Sequence, residues 1–180
     1  AASLALSDRL RIGPFELRRL AMSYIRMDGL SYLRIARRGV EIAPYPRSTV
    51  DKLPGYPILV RIVHLVVGDW NVAAATTSAV GALVALVLLH RWTARHGMTP
   101  SARGRTLALV ATYPYGFFLF GFAYAESWYL ALVIACFLLA DADRPVAAGV
   151  CAALASLVRP PGILLAVALA VFALLRLPRP

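Results

Sequence analysis

The chain has 180 residues, 60% of them hydrophobic, with a mean hydropathy of +0.69. That apolar content exceeds the roughly 45–50% of an ordinary soluble domain and assigns the bulk of the chain to lipid. The net charge of +10 comes from 18 Arg and one Lys against nine acids; with no nucleic-acid-binding module in the sequence, it points to phosphate-bearing membrane lipids and away from nucleic acid.

Residues 1–26 mix leucines with Asp8, Arg9, Arg11, Glu16, Arg18 and Arg19, which interrupt any apolar run of about 20 residues, so this part lies on or near the membrane. Residues 30–36 set Leu30, Leu33 and Ala36 against Arg34, Arg37 and Arg38 at helical spacing, which predicts an interfacial helix with Gly39 as its stop. The prolines and glycines of residues 41–57 predict a loop. Residues 58–67 are apolar except for Arg61 and His64, which share a helix face, and are too short to span alone; they read as a re-entrant or interfacial helix.

Five membrane spans are predicted after that, over residues 72–89, 106–124, 127–140, 146–158 and 163–175. The last three are short for a bilayer core of about 30 Å, so their ends are expected to extend into the connecting residues. The fold class is therefore all-α: a polytopic transmembrane helix bundle with an interfacial first external loop. Residues 1–70 form the interfacial segment and residues 71–180 the spans, together one membrane domain that reads as a piece of a longer protein.

The connection over residues 91–105 carries Arg91, Arg95, His96, Arg103 and Arg105 with no acid, which makes it cytoplasmic. Counting spans from there places Glu126 and Arg159 on the outer face and Asp28 with them, whereas a spanning segment over residues 58–67 would put Asp28 and its neighbouring arginines on the cytoplasmic side, where a basic segment belongs by the same rule. Cys136 and Cys151 sit in apolar runs and read as small buried hydrophobes. The arginine-over-lysine and alanine-rich usage favours a bacterial plasma membrane, or the endoplasmic reticulum membrane if the source is eukaryotic.

Charged groups near an apolar phase are costly, so Asp28, Arg34, Arg37, Arg38, Arg61, His64, Glu126 and Arg159 are the candidates for chemistry. The set suits an anionic lipid phosphate, with a carboxylate available to take a proton. Each residue has a plainer reading. Asp28 can cap the helix that follows, Glu126 can complement a helix N-terminus, Arg61 and His64 can reach to the interface, and Arg159 can serve a turn. Neither a metal-ligand pattern around His64, His90 and His96 nor a Gly-rich phosphate loop is present. No soluble nucleotide-binding half is visible in the sequence either, and a sugar transferase without one would have to use a lipid-linked donor.

Four motifs then occur in one order. They are Arg26-Met27-Asp28-Gly29 with Ser31-Tyr32-Leu33, Ile35, Ala36 and Gly39; Leu53-Pro54-Gly55-Tyr56-Pro57 with Leu59-Val60-Arg61; Pro114 with Phe117-Phe118 and Tyr124, Glu126-Ser127; and Val158-Arg159-Pro160-Pro161-Gly162. In this the chain resembles the front portion of the PIG-V-like mannosyltransferases, membrane enzymes of the GT-C class that include the second mannosyltransferase of GPI-anchor assembly. Met27 stands where that family has Trp, Ser31 where it has an aromatic residue, Val40 where it has Tyr and Val158 where it has Thr.

The resemblance implies inverting transfer of mannose from a polyprenyl-phosphate donor, dolichyl in eukaryotes, to a lipid, glycan or protein acceptor on the non-cytoplasmic face. Asp28 is then the general base. Arg61, Arg159 and Arg34 hold the donor phosphate, while Glu126, Tyr32 and His64 orient the acceptor or an arginine. No cofactor is required, although Asp28 and Glu126 are the carboxylates that a divalent ion would use. The alternative class is a membrane carrier or non-catalytic scaffold that binds anionic lipid.

Overall fold

Apolar runs punctuated by proline and glycine become helices in the computed structural model, which describes residues 14–23, 25, 28–42, 52–113, 116 and 123–176. The order is α1 (Pro14–Ser23), α2 (Asp28–Arg38), α3 (Gly55–Val67), α4 (Trp70–Arg95), α5 (Pro100–Thr112), α6 (Glu126–Asp141), α7 (Pro145–Val158), a 3-10 turn (Pro160–Ile163) and α8 (Leu164–Arg176). No strand occurs among the described residues. Arg26, Met27, Pro114, Phe117 and Phe118 of the motifs lie outside those residues, as do parts of the expected loop and of the segment before Asp28.

Local chemistry accounts for the boundaries. Gly39, with φ +89°, stops α2 and donates its N–H to the Ile35 carbonyl at 2.8 Å, as expected for a left-handed C-terminal glycine. Gly68 does the same for α3, and Asp69 then caps α4 by accepting the N–H groups of Asn71 and Val72 at 2.8 and 3.0 Å. A two-residue connection therefore folds α3 back along α4. Because Asp69 caps the helix and no breaker occurs before Gly97, α4 is longer than the expected span over 72–89 at both ends.

The expected span over 106–124 starts earlier, at Pro100 behind a Thr99 cap, and α5 ends at Thr112. Pro114 explains that end, since it drives the preceding residue out of the helical region; Tyr113 has ψ 133°. The helices α6, α7 and α8 contain 16, 14 and 13 residues. At 1.5 Å per residue they measure about 24, 21 and 20 Å. Past the expected spans, α6 gains one residue at each end and α7 one at its start, and a tight turn at Ala142 and Asp143 and the extended Arg159 close them there; the residues after Arg176 lie outside those described. Among the described helices, Trp70–Arg95 is long and apolar enough to cross a membrane, and the others are shorter.

The side chains sort in an unusual way. The buried face of α4 is made of Ala73, Ala74, Thr77, Ser78, Gly81, Ala82 and Ala85, and α7 buries Ala148, Ala152 and Ala155. Larger apolar side chains face outward, including Val80, Leu83 and Val87 on α4 and Val146, Val150, Leu154 and Leu157 on α7. Small inward faces let the helix backbones approach closely. The Trp128 indole N–H reaches the Thr77 carbonyl at 2.8 Å, and a Cβ on Gly81 would sit 2.7 Å from the Trp128 ring.

That bond joins the start of α6 to the first half of α4, while His96 and Asp141, 3.8 Å apart, join their far ends. The two helices therefore run parallel, with α7 returning between the same two levels. One core cluster, including Tyr32, Tyr56, Val60, Ala73, Ala123 and Val158, unites residues on both sides of position 70.

Candidate active site at one end of the bundle

Three motif glycines bring the site together. A Cβ on Gly29 would stand 3.0 Å from the Ala123 carbonyl oxygen, so its absence lets the first turn of α2 press on the segment that leads into α6. Gly55 admits the start of α3 against the end of α7, where a Cβ would lie 2.6 Å from the Leu157 oxygen. Gly162 lets the 3-10 turn fold onto α7, where a Cβ would lie 2.4 Å from the Ala155 carbonyl carbon. Behind them, the Tyr56 hydroxyl donates to the Ala74 carbonyl at 3.0 Å and lies 2.7 Å from the Ser78 hydroxyl, while Ser78 reaches the Tyr124 carbonyl at 3.1 Å. Three distant parts of the chain are thereby tied to one level of α4.

The charged groups meet at that level. Asp28 stands in the first turn of α2, its side chain 57% exposed, with the Lys52 ammonium 3.1 Å away. Glu126 opens α6 and accepts directly from the Arg159 guanidinium beyond the end of α7. Tyr32, one turn after Asp28, is buried and meets the Tyr56 ring edge-on at 5.2 Å. Its phenol is pushed above its ordinary range, chiefly by burial and then by the Glu126 charge; Arg159 opposes, Asp28 adds to the rise, and Lys52 opposes.

Tyr124 is raised in the same way. Burial is the main cause, followed by the Asp28 charge, while a backbone hydrogen bond from Asp28 works downward. Both phenols stay protonated at neutral pH and can donate. Two carboxylates, two cations and two phenols thus come from α2, α6 and three connecting segments.

Not every candidate joins this group. Arg61 donates from Nε to the Ala36 carbonyl at 2.9 Å, satisfying the last turn of α2. Ala36 is eight residues beyond Asp28, about 12 Å along the helix. Arg61 also lines a small cleft of about 170 Å³ with Gly39 and Pro57. His64 lies one turn further along α3 and stacks on Trp70 at 3.6 Å; Arg37 stands 5.8 Å from the Trp70 ring centre. Arg34 is half-buried on α2, between the two groups. The reading of Arg61 and His64 as partners of Asp28 thus meets a geometry in which they serve the opposite end of α2.

Lys52 was missed in the sequence, and Tyr124, although part of the third motif, was given no role at the site. The available signal for Lys52 was that a chain with 18 arginines places its one lysine directly before the Leu53-Pro54-Gly55-Tyr56-Pro57 motif. Among the described residues no three His, Cys, Asp or Glu side chains are placed to share a metal ion. Asp28 and Glu126 remain the carboxylates for one, and each already faces a cation.

The chain matches no family model, no curated protein and no solved structure.

Proposed function

We propose that the protein is a membrane-embedded glycosyltransferase that takes its sugar from a polyprenyl-phosphate donor. The observation that carries this reading is the convergence of Asp28 and Glu126 with Lys52 and Arg159 around the Tyr32 phenol at one end of the bundle. Exposed Leu, Val and Ile over an alanine core favour lipid as the surrounding solvent, since a soluble fold places these residues the other way round. The 18 residues from Ser78 to Arg95 cover about 27 Å of α4, close to the thickness of a hydrocarbon core. The order of the four motifs favours mannose as the sugar and the non-cytoplasmic face as the side.

In this scheme Asp28 accepts the proton of the acceptor hydroxyl as that oxygen attacks the anomeric carbon, and the bond to the donor phosphate breaks on the opposite face. Lys52 exchanges its Asp28 partner for the donor phosphate, which frees the base as the substrate arrives. Arg159, held by Glu126, adds a second cation to stabilise the leaving phosphate. Tyr32 and Tyr124 donate to sugar or phosphate oxygens. Arg61 and Arg34 lie toward the other end of α2, in place for a more distant part of the lipid donor.

The test is transfer of labelled mannose from polyprenyl-phosphate-mannose to membrane acceptors by the full-length gene product. Asp28→Asn is expected to lower turnover by about 10²–10⁴-fold, the ordinary worth of a general base, with donor binding retained. If an inserted, stable protein transfers no sugar with donor and a crude acceptor pool supplied, the transferase reading fails and a lipid carrier or scaffold replaces it.

A further inference from the structure

The end of the bundle opposite Asp28 holds a second polar feature with no part in this chemistry. A cleft of about 940 Å³ opens where α4 finishes and α6 turns into α7. Its walls are apolar, with Leu88 from α4 and Leu138 and Leu139 from α6, and its rim carries Arg91, Arg95 and Arg144, all exposed. Arg91 and Arg95 are one helical turn apart and share a face. Arg144 follows a turn in which Asp143 adopts φ 53°, and its N–H is fixed to the Leu139 carbonyl at 2.9 Å.

Asp141 and Asp143 also line the cleft. Asp141 is turned to His96 at 3.8 Å, and no described carboxylate makes an ion pair with Arg91, Arg95 or Arg144. Three guanidinium groups above a leucine wall match a phosphodiester above an acyl chain. Guanidinium is the side chain best suited to hold phosphate oxygens in pairs. We propose that this cleft binds an anionic phospholipid, with its phosphate on Arg91, Arg95 and Arg144 and an acyl chain along Leu88, Leu138 and Leu139. The site rests on the membrane placement argued above and is independent of glycosyl transfer.

The experiment uses the full-length protein, first floated with phosphatidylcholine vesicles to establish insertion. Native mass spectrometry then compares retention of phosphatidylglycerol with that of phosphatidylcholine. Each basic residue at an anionic surface is worth about fivefold in affinity, so R91Q/R95Q/R144Q is expected to lower the phosphatidylglycerol preference by about a hundredfold. R91K/R95K/R144K should keep most of it, and R37Q/R38Q, at the far end of the molecule, should leave it unchanged. If the inserted protein shows no preference, or the triple glutamine variant keeps it, the site is overturned while the membrane reading stands. Failure of the wild type to float overturns both.

Discussion

Tyr32 is the residue on which the fields of Asp28, Glu126, Arg159 and Lys52 all act, and its raised pKa gives a prediction with a definite sign. A phenol whose native pKa lies above its unfolded value near 10 contributes stability that is intact below about pH 10. That stability is lost as pH rises through the native value, because the unfolded chain gives up the proton first. The fall in thermal midpoint above about pH 10 should therefore be shallower in Tyr32→Phe than in the wild type; equal slopes would remove Tyr32 as a source. The Glu126 and Arg159 pair sits between the limits for ion pairs, with side chains 28% and 36% exposed. A coupling energy of about 1–2 kcal/mol is expected, above the ~0–1 kcal/mol of exposed pairs and below the ~3–5 kcal/mol lost when a buried pair is broken. A double-mutant cycle with Glu126→Gln and Arg159→Gln measures it.

At the scale of the element, glycines divide into those that permit contact and those that only weaken a helix. Gly55→Ala and Gly162→Ala each drive a Cβ into the backbone of α7, and overpacking of that kind costs about 1–3 kcal/mol. The same change at Gly104 in α5 or Gly149 in α7 meets open space, so it should stabilise by up to about 1 kcal/mol through helix propensity. Thermal midpoints of the four single variants in one detergent test the division, and equal effects at Gly55 and Gly149 would refute the close approach of α3 to α7. Activity should follow the same split, because Gly55 begins the helix that Lys52 precedes and Gly162 follows Arg159.

For the whole molecule, the parallel course of α4 and α6 sets the two polar ends roughly 22–27 Å apart. In sealed, oriented vesicles, single cysteines at Arg95 and Arg144 should react with an impermeant maleimide from one side, and a cysteine at Lys52 from the other. The background for that experiment lacks Cys136 and Cys151, which are buried and half-buried. Labelling of all three from the same side would remove the transmembrane arrangement.

The sequence by itself determined the all-helical class, the stop at Gly39 and a set of polar candidates that held Asp28, Glu126 and Arg159 together with Arg34, Arg37, Arg38, Arg61 and His64. These are local or chemical facts: periodicity, caps, breakers, and the cost of placing charge near an apolar phase. Only the tertiary structure decided that Lys52 pairs with Asp28, that Tyr32 lies under both carboxylates, and that Arg61 and His64 belong to the other end of α2. Those outcomes depend on which faces of α2 and α3 pack together, and that depends on missing Cβ atoms at Gly29, Gly55 and Gly162 whose partners lie about 95, 100 and 7 residues away in the chain. A one-dimensional pattern shows that a glycine is present; the carbonyl it makes room for is known only once the helices have met.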